Sequence, residues 1–474
     1  MYYRLSSDYE VCSFKGLPCT CRNKKTNQYQ FYEKEIAEIL FKCNGKSDVD
    51  FDTLPESHRF FLSKALESGI IAKSAQPDPM DGPIPVKYFS NRYRKSIHWS
   101  ITGRCNYHCK HCFQSANEGV LGEPTLEQCL DMIRQFEECG IHSVELTGGE
   151  PLIRKDLWQI IDALAAADIR VDVIYSNGKL VNQELLDGLT KRGMHPSFQI
   201  SFDGVGYHDW FRGVPGAEEI ALQAMMLLKE NGFGFSCAMC ICSRNMHCIS
   251  ETASVLASVG CSGIKVSRAS IEGQWRKHTE LNISDDDLLQ LYLDYLDEYY
   301  EQQIPVPIQL EGIASMTPLN QVQGNFKPAK LLFETGFTEE QADRFPICGI
   351  MEQSFFVGPN GAVVPCMSLC GAAIESQFPN LFVTPLKEIL SDSCYIKLAG
   401  AKAIDLIRAN EKCVSCEFRF DCIGGRCRPA AIGDQGTDYF QASDFVCYIY
   451  KSEWRNKLKA AVEKINDSVK PALV

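Results

Sequence analysis

The 474-residue sequence lacks the features of membrane-embedded, exported and nucleic-acid-binding proteins. No apolar run approaches the roughly 20 residues that a membrane-spanning helix needs, and residues 1–5 lack the basic segment and apolar core of a secretory signal. Basic residues are not in excess, because 48 Lys and Arg stand against 60 Asp and Glu. The net charge of −12 argues against non-specific binding to nucleic acids. We therefore expect a cytoplasmic protein with no membrane partner and no nucleic-acid partner.

Cysteine, by contrast, is abundant, with 23 residues. In a secreted chain this number would indicate disulfide bonds, but no export signal is present and the cysteines cluster in short loops. The composition therefore predicts metal clusters held by thiolates in a reduced cytoplasm.

The chain is too long for one compact core, and its patterning divides it into successive segments. A small α/β module precedes a proline-rich linker, and a long region of alternating strand-like and helical runs follows. A charged, partly helical bridging region, a second cysteine-rich region and a polar C-terminal helix complete the chain. In this order, the predicted boundaries are 1–74, 75–95, 96–273, 274–345, 346–450 and 451–474.

The region 96–273 carries six strand-like runs separated by helical patterns. Such alternation predicts parallel strands with helices outside, and hence an open α/β barrel or a doubly wound sheet. In these folds, ligands gather at the carboxyl ends of the strands. The predicted strands are Ile97–Thr102, Ser143–Thr147, Val171–Ser176, Phe198–Phe202, Phe235–Ile241 and Ile264–Ser267.

Three cysteines directly after the first of these strands are the strongest chemical signal. Cys105, Cys109 and Cys112 have the spacing C-x3-C-x2-C, which is close enough for one loop to hold an iron–sulfur cluster. Three ligands for a four-iron cube leave one iron open, and an open metal position is where chemistry takes place. The alternatives are a zinc loop or three buried thiols.

This triplet resembles the signature of the radical S-adenosylmethionine (SAM) superfamily. The resemblance implies that SAM chelates the open iron through its amino and carboxylate groups, and that His111 lies near the adenine. It also implies that the six strands form a partial (β/α)6 barrel. Reductive cleavage of SAM would then give methionine and a 5′-deoxyadenosyl radical that abstracts a hydrogen atom from the substrate.

Residues at the ends of the next three strands match SAM-binding positions of this family. The Gly-Gly-Glu-Pro turn after the second strand resembles the motif that binds the SAM amino group, with Glu150 as the carboxylate acceptor. The resemblance further assigns Asn177 to the ribose, and Ser201 with Arg212 to the SAM carboxylate. Each of these residues could instead serve a turn or a cap. The full set is Gly148, Gly149, Glu150, Pro151, Asn177, Ser201 and Arg212.

The C-terminal region carries a second array of cysteines that resembles the SPASM domain, which holds up to two auxiliary four-iron clusters. The resemblance assigns four cysteines to the second auxiliary cluster, namely Cys413, Cys416, Cys422 and Cys447. The cysteines that it assigns to the first auxiliary cluster are Cys348, Cys366 and Cys427. A zinc ribbon is the alternative for Cys413, Cys416, Cys422 and Cys427.

Two departures from the SPASM pattern concern the first auxiliary cluster. The gap before Cys427 has four residues, where the family usually has three. No cysteine stands six residues after Cys348, where relatives with a fully ligated cluster have one. Either Cys370 supplies the fourth ligand, or one iron of this cluster is open.

The N-terminal strand pair and helices resemble the PqqD-like element that recognises precursor peptides. An unrelated winged-helix cap that packs on the main domain is the alternative. A peptide-binding module on such a core implies a radical SAM peptide maturase. Its partners would be a precursor peptide with a leader and an electron donor such as flavodoxin or ferredoxin. Its cofactors would be SAM, the radical SAM [4Fe–4S] cluster and two auxiliary [4Fe–4S] clusters.

The expected product is a thioether between a cysteine sulfur and a carbon of another residue, as in sactipeptide and ranthipeptide synthases. Carbon–carbon crosslinking, epimerisation of a peptide and anaerobic sulfatase maturation are alternatives. Sulfatase maturation is disfavoured because those enzymes resemble this core without the N-terminal module. An iron–sulfur electron carrier is the non-enzymatic alternative. The Gly148–Pro151 turn argues against it, because a carrier needs no site for the SAM amine.

Overall fold

The structure of the chain, a computed structural model, describes residues 1–79, 84, 86–324 and 326–468. Part of the predicted linker, residues 80–83 and 85, lies outside the described residues. Within the described part, no helix combines the length and the apolar character needed to cross a membrane.

The N-terminal module has its own apolar core between two small sheets and two helices. Its elements are β1 (Tyr2–Leu5), β2 (Tyr9–Phe14), β3 (Leu17–Asn23), β4 (Tyr29–Tyr32), α1 (Lys34–Lys42), β5 (Asn44–Asp48), α2 (Glu56–Glu67), β6 (Ile71–Ser74) and β7 (Val86–Tyr88). One sheet has the order β5-β1-β6 and the other has the order β4-β3-β2-β7. Strand β7 pairs with β2, so the module extends beyond residue 74 into the predicted linker.

The predicted alternation of strands and helices is confirmed in the central region, where all six predicted strands are present. The elements are β8 (Ser96–Ser100), α3 (Leu126–Glu138), β9 (Ser143–Thr147), α4 (Leu157–Ala166), β10 (Arg170–Ser176), α5 (Gln183–Lys191), β11 (Ser197–Ser201), α6 (His208–Arg212), α7 (Ala217–Glu230), β12 (Phe235–Ile241), α8 (Ile249–Val259), β13 (Ile264–Arg268) and α9 (Asp285–Glu301). Strands β8 to β13 pair in parallel with their neighbours in chain order.

The central sheet extends past the sixth strand. Strand β14 (Ile308–Leu310) pairs in parallel with β13, and the antiparallel strands β15 (Ala314–Met316) and β16 (Ala329–Leu331) continue the same edge. Residues 274–345 were predicted to bridge two domains, but their strands belong to the barrel sheet. The reason is that β14 uses the hydrogen-bonding edge that β13 would otherwise leave open.

The cysteine-rich region consists mainly of short helices and adds two strands to the other edge of the sheet. Counted from the short helix before it, its elements are α10 (Glu339–Arg344), α11 (Gly349–Gln353), β17 (Ser354–Val357), β18 (Val363–Val364), α12 (Leu386–Asp392), α13 (Cys394–Ala399), α14 (Ala403–Arg408), α15 (Glu411–Val414), α16 (Arg419–Cys422), α17 (Arg428–Ile432), α18 (Asp444–Lys451) and α19 (Trp454–Ser468). Strand β17 pairs in parallel with β8, and one continuous apolar core joins this region to the barrel.

Side chains alternate along the barrel strands between an apolar outer layer and a polar interior. On β8, Ile97 and Trp99 are fully buried in the core beneath the helices, whereas His98 is only partly covered. This period of two is what a strand with helices on one face and a lumen on the other requires. The sheet is therefore a partial barrel whose interior can hold polar groups.

The N-terminal module is attached to the amino-end face of the barrel. Arg22 of β3 is 1% exposed and forms ion pairs with Glu10 of β2 and with Asp168, which precedes β10. Nearby, Asn27 donates a hydrogen bond from Nδ2 to the carbonyl of His142, just before β9 (3.0 Å). The module thus lies at the opposite end of the strands from the edge where ligands gather in such folds.

Candidate functional site

The three predicted cysteines lie on one loop, residues 104–116, at the carboxyl end of β8. Helix α6 holds this cysteine loop through its main chain. His108 donates to the carbonyl of Arg212 (3.2 Å), and Lys110 donates to the carbonyl of Phe211 (2.9 Å). The loop position is therefore fixed by backbone geometry, independently of any cluster.

Each thiol of the cysteine loop accepts a hydrogen bond. The Sγ atoms of Cys105 and Cys112 accept from the backbone N–H groups of Tyr107 (3.4 Å) and Ala116 (3.3 Å). Nη1 of Arg212 lies 3.6 Å from Sγ of Cys109. Such donors stabilise thiolates, which are the form that binds iron. The donor set therefore fits an iron–sulfur cluster.

No group of three or more His, Cys, Asp or Glu side chains, within the ranges that the structure describes, could hold a single metal ion. A four-iron cube spaces its thiolates more widely than one ion does. Burial, with smaller contributions from the charges of Glu150, Cys109 and Cys112, raises the pKa of Cys105 to about 12, so a bound metal would have to displace the thiol proton.

The turn after β9 packs directly against the backbone that enters the cysteine loop. Gly149 donates to the carbonyl of Thr102 (2.8 Å), and Glu150 donates to the carbonyl of Arg104 (2.9 Å). A Cβ atom on Gly149 would lie 2.1 Å from that Arg104 carbonyl oxygen, and one on Gly148 would lie 2.4 Å from the Thr102 carbonyl oxygen. In the structure, the two glycines admit the protein's own backbone at close range.

The carboxylate of Glu150 is buried and accepts several hydrogen bonds. Its donors are the backbone N–H groups of Asn177 (2.8 Å) and Leu152 (3.2 Å) and the hydroxyl of Ser176 (3.1 Å). Burial raises the pKa of Glu150 to about 7, although the backbone hydrogen bonds from Asn177 and Leu152 oppose this shift. Pro151 begins a short 3₁₀ helix directly after it. Glu150 is thus a preorganised acceptor without a cationic partner among the described residues.

Asn177 connects Glu150 to the cysteine loop. Its Nδ2 atom donates to Oδ1 of Asn106 (2.8 Å) and lies 3.9 Å from Sγ of Cys105. The predicted amine and ribose positions, Glu150 and Asn177, are therefore brought together beside the predicted cluster. Ser201 ends β11 at the same edge, aligned with Ala238 of β12.

Arg212 is buried in an ion pair that the sequence analysis did not anticipate. Its Nη2 and Nε atoms lie 3.0 Å and 2.6 Å from the two carboxylate oxygens of Asp203. Burial acts to raise the pKa of Asp203, but Arg212, together with His111, His208 and the backbone N–H of Cys240, holds that pKa below its usual range. The guanidinium fork predicted for the SAM carboxylate is therefore engaged by Asp203, and only Nη1 reaches toward Cys109.

His111 lies with its ring stacked on Phe211, with 4.3 Å between the ring centroids. Burial lowers its pKa to about 4, so the imidazole is neutral at pH 7. Its Nε2 atom is 4.0 Å from a carboxylate oxygen of Asp203. The structure thus places a flat, uncharged ring next to Cys112, and its contact with an adenine stays a prediction.

The four cysteines predicted for the second auxiliary cluster lie together. Besides burial, the charges of Cys447 and Cys416 raise the pKa of Cys413, and those of Cys447, Cys413 and Cys416 raise the pKa of Cys422. Mutual electrostatic effects of this kind require neighbouring sulfur atoms. The grouping fits a cluster ligated by these four residues.

Cys348, Cys366 and Cys427 form a separate group. Burial raises the pKa of Cys366 to about 11, and the charges of Cys427 and Cys348 add to this shift. Cys427 is therefore placed with Cys348 and Cys366, as the SPASM resemblance implies. This position does not fit the alternative in which Cys427 completes a zinc ribbon.

Cys370, the possible fourth ligand of this group, is placed elsewhere. Its Sγ atom is 3.8 Å from Oδ1 of Asn360, and a Cβ atom on Gly358 would lie 2.6 Å from it. Burial raises its pKa and the nearby carboxylate of Glu375 adds to the shift. Its thiol packs in the apolar core beside Asn360. The role of Cys370 as fourth ligand, one of the two alternatives given above, stays a prediction.

The lumen contains polar residues that the sequence analysis missed. The hydroxyl of Tyr175 on β10 donates to Oε2 of Glu145 on β9 (2.7 Å). His98 of β8 stacks on Tyr175, with 4.7 Å between the ring centroids. The period of two along each strand could have identified these residues as inward-facing, but not their contacts. The sequence likewise places Asp203 just after a predicted strand, but it does not identify Arg212 as its partner.

Replacement of Asp203 by Asn should destabilise the protein, because Arg212 would remain buried without a counter-ion. Removing one partner of a buried ion pair costs about 3–5 kcal/mol. The matched control is Asp162→Asn, which breaks the exposed pair with Arg192 and should cost less than about 1 kcal/mol. Thermal unfolding of the anaerobically purified proteins measures both. Equal melting temperatures for the two variants would contradict the structural role of Asp203.

Comparisons with known proteins agree with this arrangement. A family model described as the radical SAM superfamily matches residues 99–256. A second, described as an iron–sulfur cluster-binding domain and named SPASM, matches residues 348–417. The chain therefore contains a radical SAM domain followed by a SPASM domain, which are domains that use SAM and [4Fe–4S] clusters.

Two curated relatives illustrate the range of similar proteins. An AdoMet-dependent heme synthase of Methanosarcina barkeri is 28% identical over 361 residues, which cover 74% of this chain and 96% of that protein. The mycofactocin maturase MftC of Mycobacterium tuberculosis is 29% identical over 201 residues, or 41% of this chain and 50% of that protein.

Solved structures share the fold at low identity. Streptococcus suis SuiB bound to its precursor peptide SuiA has a TM-score of 0.62 and 17% identity, and the match covers 94% of this chain and 99% of SuiB. The structure of anSMEcpe with bound AdoMet and a peptide has a TM-score of 0.56 and 17% identity, covering 80% of this chain and 100% of that one. The partial radical SAM barrel with a C-terminal SPASM domain is thereby confirmed.

Proposed function

We propose that this chain, a radical SAM enzyme with a SPASM domain, forms thioether bonds between cysteine sulfur atoms and carbon atoms of a ribosomally made precursor peptide. The position of Cys370 supports this proposal best. Its thiol packs beside Asn360, which supports a first auxiliary site with three thiolates, Cys348, Cys366 and Cys427, for a four-iron cube. One iron would then be free to take a substrate thiolate.

An open auxiliary iron suits sulfur chemistry because metal coordination deprotonates a thiol and fixes its position. Two cations near the site oppose the effect of burial on its thiols. The charge of Lys265 acts to lower the pKa of Cys366, and the guanidinium of Arg426 lies close enough to Cys348 to respond to its charge. These cations would offset part of the negative charge that a substrate thiolate adds.

When bound, the loop cluster and SAM supply the 5′-deoxyadenosyl radical that abstracts a substrate hydrogen atom. The protein's own groups position SAM. Glu150 would accept hydrogen bonds from the SAM ammonium, Asn177 would contact the ribose, and His111 would present its ring to the adenine. Ser201 would bind the SAM carboxylate, and Arg212 would contribute Nη1, which otherwise lies near Cys109, while Asp203 holds the rest of the guanidinium.

The N-terminal module is the proposed leader-binding element. Strand β4 has only β3 as a neighbour among the described strands, so one of its edges is open. This edge faces a cleft of about 1020 Å³ between the module and the barrel, lined by Tyr29, Phe31, Lys95 and Arg170 among others. A leader could add to the open edge as an extended strand, with aromatic and basic side chains around it.

Binding of SAM should weaken as pH falls below 7. The buried carboxyl of Glu150 has a pKa of about 7 without ligand, and only its ionised form attracts an ammonium group. Below that pH, binding must expel a proton, so affinity should fall by up to about tenfold per pH unit. Equilibrium dialysis of SAM between pH 6 and pH 8 measures this dependence.

Glu150→Gln should remove this pH dependence and lower the affinity for SAM at pH 8 by about 1.5–3 kcal/mol, the usual value of a hydrogen bond to a charged group. Glu127→Gln, on the exposed face of α3, is the matched control and should behave like the unchanged protein. An identical pH profile in Glu150→Gln would show that another group controls SAM binding.

Iron content separates the open auxiliary site from a fully ligated one. Cys370→Ala should retain all iron, whereas Cys366→Ala should lose roughly one four-iron cluster because it removes a direct ligand. Adding a cysteine-containing precursor should change the electron paramagnetic resonance spectrum of Cys370→Ala as it does that of the unchanged protein. Iron loss in Cys370→Ala would make Cys370 a ligand and would remove the main support for thioether formation.

Co-expression with short cysteine-containing peptides encoded beside the gene tests the reaction itself. Each thioether should lower the peptide mass by two hydrogen atoms and protect one cysteine from alkylation. Phe31→Ala in the cleft should lower the yield of modified peptide, whereas Phe60→Ala, an exposed phenylalanine on α2, should not. Mass loss with all cysteines still alkylated would instead indicate carbon–carbon crosslinking, and an unchanged mass with altered stereochemistry would indicate epimerisation.

A tetrapyrrole substrate is the second candidate, because the AdoMet-dependent heme synthase matches over 96% of its own length. The match covers 74% of this chain, whereas the structural match to SuiB covers 94%, so the peptide hypothesis accounts for more of the fold. SAM-dependent conversion of an iron tetrapyrrole by the purified protein, without conversion of any peptide, would favour this second candidate.

A further inference from the structure

We propose that an acidic one-electron carrier protein docks on a basic surface beside the cysteine loop, formed by Lys110, Trp210 and Arg244. This carrier face rests on the proposed function, because the loop cluster needs electrons from outside the protein. The proposal specifies where the carrier docks and that its surface is acidic. Neither property follows from the reaction itself.

Lys110 and Arg244 both contact the aromatic ring of Trp210. Nζ of Lys110 lies 5.6 Å from the centroid of the Trp210 ring, and the guanidinium carbon of Arg244 lies 4.4 Å from it. Both distances are typical of cation–π contacts, which hold cationic side chains in place without neutralising them. Arg244 is exposed, and Lys110 and Trp210 are partly exposed, so the charges face solvent.

Several cations around the cysteine loop form no ion pair within the part of the chain that the structure describes. Arg212 and Lys277 nearby have carboxylate partners, Asp203 and Glu118. Among the described residues, in contrast, the cations that form no ion pair include Arg104, Lys110, Lys179 and Arg244. Because the whole chain has a net charge of −12, an acidic partner is repelled by most of its surface. Local positive charge at the cysteine loop would therefore orient such a partner.

The carrier face adjoins the cysteine loop. Lys110 itself stands between Cys109 and Cys112 in the sequence. The ring of Trp210 stacks on that of Phe211 with 5.3 Å between centroids, and Phe211 stacks on His111 at 4.3 Å. Electron transfer weakens steeply with distance, so a carrier seated on Trp210 would deliver electrons through closely packed rings. Tryptophan and arginine are also enriched at protein interfaces.

The test compares a protein reductant with a chemical one. Formation of 5′-deoxyadenosine is measured with reduced flavodoxin, with reduced ferredoxin, and with dithionite, which needs no docking surface. In the double variant Lys110→Gln/Arg244→Glu, the carrier-driven rate should fall by about tenfold at low ionic strength, while the dithionite-driven rate should change by less than about twofold. Lys459→Glu on α19, an exposed lysine distant in sequence, is the control and should leave both rates unchanged.

Salt gives an independent readout. The carrier-driven rate of the unchanged protein should fall as ionic strength rises, because screening weakens attraction between exposed charges. The rate of the double variant should depend much less on salt. A carrier-driven rate that is equal in the variant and the unchanged protein would overturn the proposal.

Other outcomes would also overturn the proposal, each for a distinct reason. Equal losses with dithionite and with carriers would mean that the residues support the loop structure. Normal carrier-driven SAM cleavage with impaired conversion of a peptide would mean that the surface binds the substrate. If the unchanged protein cleaved no SAM with dithionite, the proposed radical chemistry itself would fail, and the carrier face would lose its basis.

Discussion

Main-chain hydrogen bonds on both sides of the cysteine loop are the constraint on which the site depends. On one side, the backbone of Gly149 and Glu150 donates to the carbonyls that lead into the loop. On the other side, the carbonyls at the end of α6 accept from the loop itself. Because these bonds involve the backbone, they tolerate most side chains on the loop but exclude a Cβ atom at Gly149.

The two buried carboxylates of the site differ in whether the protein supplies a counter-ion. Asp203 has Arg212, so its charge is compensated and its role is to hold the guanidinium. Glu150 has only hydrogen-bond donors, and burial therefore raises its pKa. A buried carboxylate without a cation is costly, and a cationic ligand reduces that cost. Glu150 is consequently the acidic group at this edge that can gain most from binding an ammonium group.

Much of the fold could be predicted from the sequence because its signals are local. The six strands follow from runs of apolar residues, and the cysteine loop follows from spacing within eight residues. What could not be predicted depends on contacts between distant segments. Strand β17 pairs with β8 across more than 250 residues, and β7 joins a sheet from within a linker. Neither strand has a distinctive sequence of its own, because its place in the sheet depends on the distant strand with which it pairs.

The same limit applies within the site. Spacing identified the residues of the SAM motif, but it could not show that Asp203 engages the guanidinium of Arg212. Spacing also suggested Cys370 as a ligand, because it lies only four residues after Cys366. Its thiol lies beside Asn360, a contact that no local pattern encodes. Spacing alone therefore leaves the ligand set of a cluster open where the cysteines do not share one loop.

The arrangement of module and barrel constrains any peptide that uses both. The module lies at the amino ends of the strands and the cysteine loop at the carboxyl ends, so a leader held at β4 is separated from the radical by the height of the barrel. A barrel strand of seven residues, such as β10, spans about 23 Å at about 3.3 Å per residue. An extended peptide covers no more length per residue than a strand does. It must therefore have at least about seven residues between its leader-binding segment and the residue that is modified. Precursors with a shorter spacing could be modified only if the leader left the cleft first.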